Sequence, residues 1–100
     1  MIYLDRTKID LGQVFNTLKA NNYKRTSSRR YYRFEDKLSG YRNGVEITAS
    51  DTIIELCNYC DYYAPQSTLK NIDDNMKTLF GAYVIDYERG FWLWNTNITM

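Results

Sequence analysis

Gly81-Ala-Tyr-Val-Ile-Asp-Tyr-Glu-Arg-Gly-Phe-Trp-Leu-Trp-Asn95 is the stretch on which the fold turns. It carries both tryptophans, and aromatic and β-branched residues fill the two arms around Glu88-Arg89-Gly90. That pattern predicts a β-hairpin with its turn at the charged tripeptide. Trp92 and Trp94 fall on one face of the second arm, Phe91 and Leu93 on the other. An arm that is apolar on both faces is either covered twice or displays one face. The expected fold class is therefore α+β. It is a small antiparallel sheet, including this C-terminal aromatic hairpin, packed against two or three helices.

Moving back along the chain, Leu69, Ile72, Met76, Leu79 and Phe80 recur at helical spacing. A helix is expected over 68–80, with Ser67 as its cap and Gly81 as its left-handed stop. Pro65 closes the element before it. That element, Thr52-Ile-Ile-Glu-Leu-Cys-Asn-Tyr59, reads two ways. Thr52 and Glu55 have capping-box spacing, and Ile53, Ile54, Cys57 and Cys60 fit a helical stripe. The β-branched opening fits a strand. The stripe favours a helix over 51–61, with the strand as its rival.

Val45, Ile47 and Ala49 alternate with Glu46 and Thr48, the pattern of a half-buried strand. Ser39-Gly40 and Asn43-Gly44 are turn signals, so 29–36 and 45–49 should pair through a turn-rich loop. The best-marked element is near the N-terminus. Asp10 and Gln13 have the spacing of a capping box, and Ile9 and Val14 that of a hydrophobic staple. Leu11, Val14, Phe15 and Leu18 make one buried stripe, and Asn21-Asn22 is expected as its left-handed stop. This predicts a helix over 11–21. Residues 1–4 read as a short edge strand.

Composition sets the limits on function. One hundred residues make one domain, 1–100. Hydrophobic content of 44% with 25% charge is ordinary for a globular chain, whereas ten tyrosines are many. Tyrosine suits half-buried faces and interfaces, because its ring is apolar and its hydroxyl wants a partner. Net charge is +1, so bulk charge supplies no argument for a nucleic-acid or membrane partner. No apolar run approaches a membrane span and no signal-peptide layout opens the chain, so the expected location is cytoplasmic. Residues with AT-rich codons (Phe, Tyr, Ile, Asn, Lys) far outnumber those with GC-rich codons. In a short, motif-free chain this is the style of a phage or mobile element.

Little here can carry chemistry. Histidine is absent, which removes the commonest general base and metal ligand. Cys57-Asn58-Tyr59-Cys60 is a single C-x-x-C pair, and structural zinc needs four ligands. Inside a helix, among apolar neighbours, the two thiols would pack as small core residues. Asp73 and Asp74 are adjacent, so they point to different parts of a helix surface and make no paired acid/base site. No glycine-rich loop precedes a helix. No cofactor, no metal and no enzyme activity are expected.

The stretch Lys24-Arg-Thr-Ser-Ser-Arg-Arg-Tyr-Tyr-Arg-Phe-Glu-Asp36 has a different character. Lys24, Arg25, Arg29, Arg30 and Arg33 alternate with Tyr31, Tyr32 and Phe34. In a strand, Arg29, Tyr31 and Arg33 share one face and Arg30, Tyr32 and Phe34 the other. Ordinary folds also stack Arg on Tyr. Arg, Tyr and Trp nonetheless dominate binding hot spots. The leading reading is a small inhibitor or adaptor of a larger protein or nucleoprotein complex, with nucleic-acid-handling or host-defence machinery as the target class. Its expected contacts are Arg29, Arg30, Tyr31, Arg33, Tyr62 and Tyr63.

The second reading is direct nucleic-acid binding, in which cations meet phosphates and rings meet bases. The order helix (51–61), Pro65, helix (68–80), hairpin (82–95) resembles the latter part of a winged-helix domain. That resemblance implies that Thr68, Lys70 and Asn71 face bases and that Arg89 sits at the wing tip. Asp73 and Asp74 depart from it, because they would approach phosphates. A third reading is an assembly protein that forms homo-oligomers through the hairpin.

Overall fold

Ser50 makes the centre of the chain a hairpin. Its backbone N–H donates to the Ile53 carbonyl at 2.9 Å, and its hydroxyl accepts from the N–H groups of Thr52 and Ile53. With only Asp51-Thr52 at the tip, the chain must fold straight back on itself. The computed structural model describes residues 1–36, 41–60 and 66–85. Over these it contains strands β1 (Ile2–Asp5), β2 (Lys24–Arg25), β3 (Arg30–Asp36), β4 (Tyr41–Ala49), β5 (Ile53–Cys60) and β6 (Val84–Ile85). The helices are α1 (Leu11–Ala20) and α2 (Gln66–Phe80), with a 3-10 turn at Gly81–Tyr83.

The six strands form one antiparallel sheet in the order β2-β3-β4-β5-β1-β6. The register assigns two faces. Tyr31, Val45, Ile47, Leu56, Ile54, Ile2 and Leu4 stand in line across one of them. Both helices cover this face. Val14 and Leu18 of α1 and Ile72, Met76 and Phe80 of α2 join its residues in the core. Arg30, Tyr32, Glu46, Tyr59, Cys57 and Glu55 stand on the opposite face, which carries no helix among the described residues. Toward β1 this second face is also buried, at Tyr3, Asp5 and Ile53.

Helix α1 forms where local chemistry demands it. Asp10 Oδ1 accepts from the Gln13 N–H at 2.8 Å and Gln13 Oε1 accepts from the Asp10 N–H at 3.0 Å. Ile9 and Val14 are both buried, as the staple requires. At the far end Asn22 takes a φ of 68°, and the Tyr23 and Asn22 N–H groups donate to the Leu18 and Lys19 carbonyls. These two bonds are a Schellman stop, and its apolar pair, Leu18 and Tyr23, lies in the core.

Several expectations are corrected. Ile53–Cys60 is a strand, not a helix. It lies between β4 and β1, so Ile54 and Leu56 serve one face and Ile53 the other, and adjacent apolar residues imitate a helical stripe. The winged-helix order loses its first helix with this change. Asn43-Gly44 is not a turn but lies inside β4. A β-carbon on Gly44 would stand 2.4 Å from both the Tyr31 carbonyl oxygen and the Tyr32 Cα, so glycine is there for close strand approach. Residues 2–5 form an interior strand, since β6 lies outside them. Helix α2 opens at Gln66, which places Ser67 in its first turn rather than at its cap. Gly81 opens the 3-10 turn instead of ending the helix left-handed. Of the expected hairpin over 82–95, Ala82 and Tyr83 belong to the 3-10 turn instead, Val84–Ile85 pairs with β1, and 86–95 lies outside the described residues.

Candidate functional site

The β2–β3 connection holds its cations in place with its own side chains. The Thr26 N–H donates to the Arg30 carbonyl at 3.0 Å, and the Ser27 hydroxyl accepts from the Arg30 N–H at 3.2 Å. Arg25 closes the turn through its Nε to the Ser27 carbonyl at 3.0 Å. Hydroxyls near their own backbone commonly set such turns. The result is a short, tied loop between two paired strands.

On the face that carries no helix among the described residues, Arg30 reaches across to β4 and β5. Its Nε donates to Glu46 at 2.7 Å, and its guanidinium lies 5.0 Å from the centroid of the Tyr59 ring. The hydrogen bond and charge of Glu46 push the Arg30 pKa above its already high range, with Tyr59 adding a smaller contribution. Gly44 stands in register between Tyr32 and Tyr59, so no side chain separates the two ring positions. These groups and the loop line a shallow depression of about 460 Å³. It offers guanidinium donors from Arg29 and Arg30, hydroxyls from Thr26, Ser27 and Ser28, and the faces of two tyrosines. Such a surface can grip carboxylates or phosphates and stack on a planar or apolar group.

The expected contacts fare unequally. Arg29 and Arg30 are exposed at this site. Tyr31 is placed in the core instead of at this surface. It is only 1% exposed, and its ring stacks on Phe15 beneath α1, because that strand face is the one the helix covers. Arg25 caps this pair, 5.4 Å from the Phe15 centroid and 5.8 Å from that of Tyr31. Arg33 is half-buried, over the Tyr23 ring at 5.0 Å. Tyr62, Tyr63 and Arg89 lie outside the described residues. Thr68, Lys70 and Asn71 sit on α2, and Lys70 pairs with Asp74 at 3.3 Å within that helix. The sequence reading missed Tyr59 and Glu46. A strand over 53–60 would have placed Tyr59 on the same face as Cys57 and Glu55 by alternation alone.

The C-x-x-C pair is also recast. Three residues apart on a strand, Cys57 and Cys60 point to opposite faces, and both are half-buried free thiols rather than core residues. Burial pushes the Cys57 thiol pKa up, and Glu55 adds to the rise. A raised pKa is the reverse of what a nucleophilic or metal-binding thiol needs. Among the described residues no group of three or more His, Cys, Asp or Glu could hold a metal ion. Among the same residues no helix is long and apolar enough to cross a membrane. Comparison with protein-family models, curated proteins and solved structures finds no match for this chain.

Proposed function

We propose that this chain is a non-enzymatic binding protein that acts as an inhibitor or adaptor of a larger protein or nucleoprotein complex. The observation that supports this reading is the arrangement of Arg30 between Tyr59 and Glu46, beside Tyr32 and Arg29, on the sheet face opposite α1 and α2. Arginine and tyrosine anchors held before binding lose little freedom on binding, which is how small interfaces gain affinity. The phage or mobile-element style of the sequence, its cytoplasmic location and the aromatic hairpin read from 81–95 belong to the same proposal. They direct it to host nucleic-acid-handling or defence machinery. Direct nucleic-acid binding is the alternative, and it rests on the cations of 24–33.

The test is a pull-down from host lysate with the wild-type chain, followed by Tyr59→Ala, Tyr32→Ala and Arg30→Glu. A stoichiometric protein partner that these variants lose supports the reading. Absence of a partner, together with binding to duplex or single-stranded DNA that weakens steeply with salt, would replace it with the alternative.

A further inference from the structure

Strand β4 outruns its neighbour. Strand β3 starts at Arg30, opposite Glu46, and the last bond on that side is from the Ile47 N–H to the Arg29 carbonyl at 2.8 Å. Beyond it, Thr48 and Ala49 pair only with β5. In an antiparallel ladder the backbone groups of successive residues alternate in direction. Ser50 bonds toward β5, so the N–H and carbonyl of Ala49 and the carbonyl of Ile47 point the other way. No described strand meets them there. Ala49 is exposed.

A groove of about 590 Å³ runs alongside this free edge. Leu11, Phe15 and Ile47 give it an apolar floor, and Arg6 and Arg29 stand in its lining. No acidic residue lines it among the described residues. Arg6 donates through Nη1 to the Ser50 carbonyl at 2.5 Å, which holds it in place with donors to spare. The Arg29 side chain has no partner among the described residues. An open strand edge, an apolar slot and two arginines with no acidic partner among the described residues are complementary to one kind of ligand.

We propose that this groove takes an extended acidic peptide segment of the partner protein, added as a strand along Ile47–Ala49. Backbone bonds to Ile47 and Ala49 would hold it in register, as in other cases of strand addition. Side chains alternate on a strand, so an apolar residue that reaches the Leu11–Phe15 floor shares its face with the residues two before and two after it, whose carboxylates meet Arg6 and Arg29 in the same groove. This rests on the reading of the chain as a protein-directed binder, and it adds the chemistry of the segment that is bound.

The test is fluorescence anisotropy of the full chain with a labelled Thr-Glu-Thr-Leu-Thr-Glu-Thr peptide, in which both carboxylates share the face of the leucine. Controls are a peptide with every Glu replaced by Lys and one with a central proline. The acidic peptide should bind at least about tenfold more tightly than either control, and Arg29→Glu should remove that advantage. Ala49→Pro should do the same, since it deletes an N–H that bonds to nothing among the described residues; circular dichroism checks that it folds. Equal binding of acidic and basic peptides, or indifference to Arg29→Glu, overturns the proposal. So does a dimer in sedimentation that Ala49→Pro dissolves, because a second copy then occupies the edge. Preference for a single-stranded oligonucleotide over the peptide overturns it as well. If the peptide fails while Tyr59→Ala still abolishes partner capture, the binder reading stands and only this groove is misassigned. If both fail, the binder reading goes too.

Discussion

The ring of Tyr31 lies 5.2 Å from that of Phe15 and 20° from parallel, joining β3 to α1 through one stacked pair. This contact ties the cationic strand to the core, because β3 offers no other fully buried side chain among those described. Truncating Tyr31 to Ala should cost about 3–5 kcal/mol, a large part of the 5–15 kcal/mol that holds a typical domain together. Tyr31→Phe keeps the stack and should cost far less. Urea melts of the two variants check this, and equal losses would show that the ring contributes little.

Gly44 faces the opposite constraint, since room rather than contact sets its identity. A methyl at this position would press on the backbone of Tyr31 and Tyr32, which cannot move without spreading β3 from β4. Gly44→Ala should therefore destabilise by about 1–3 kcal/mol or more, even though alanine is normally the easier residue to order in a strand. Gly81→Ala is the control: a β-carbon there meets nothing within 4 Å, so its melt should change little.

These two positions show what the sequence made legible. Helix α1 was readable in full, because capping box, staple and stop are contacts between residues close along the chain. Strand β5 was not. A central strand buries both faces, so Ile53 and Ile54 lose the alternation that marks a half-exposed strand, and Cys57 and Cys60 fall at helical spacing by coincidence. Gly44 was misread for a related reason, since glycine serves turns and close strand contacts alike, and only the partner strand distinguishes them. The alternation of 29–34 separated Tyr31 from Arg30 and Tyr32. It could not say which face a helix would cover, and so Tyr31 was counted as surface while Tyr59 was overlooked.

The strand reading of 53–60 makes a prediction about the thiols. At about 3.3 Å per residue, Cys57 and Cys60 have Cα atoms about 10 Å apart, beyond disulfide reach. Under diamide or oxidised glutathione, the folded chain should form no internal disulfide, while the urea-unfolded chain should. Mass spectrometry without reductant distinguishes the two. Cys57, with its pKa raised by burial and Glu55, should also react with iodoacetamide more slowly at neutral pH than an unperturbed thiol. An internal disulfide formed under native conditions would contradict the strand.

Glu55 sets a pH dependence. It lies opposite Thr48 and Tyr3 and on the same face as Cys57, and burial raises its carboxyl pKa, with the N-terminal amine pulling weakly the other way. The folded chain thus holds this proton to higher pH than the unfolded chain does. The stability linked to it is present below the ordinary carboxylate range and is lost as pH rises through the folded value. Glu55→Gln removes the charge that folding disfavours. The variant should melt higher than wild type at pH 7, and the gain should vanish below pH of about 4, where both chains are neutral at this position. Thermal melts across pH 3–8 provide the check, and a gain that grew toward acid pH would show that Glu55 is instead favoured in its charged form.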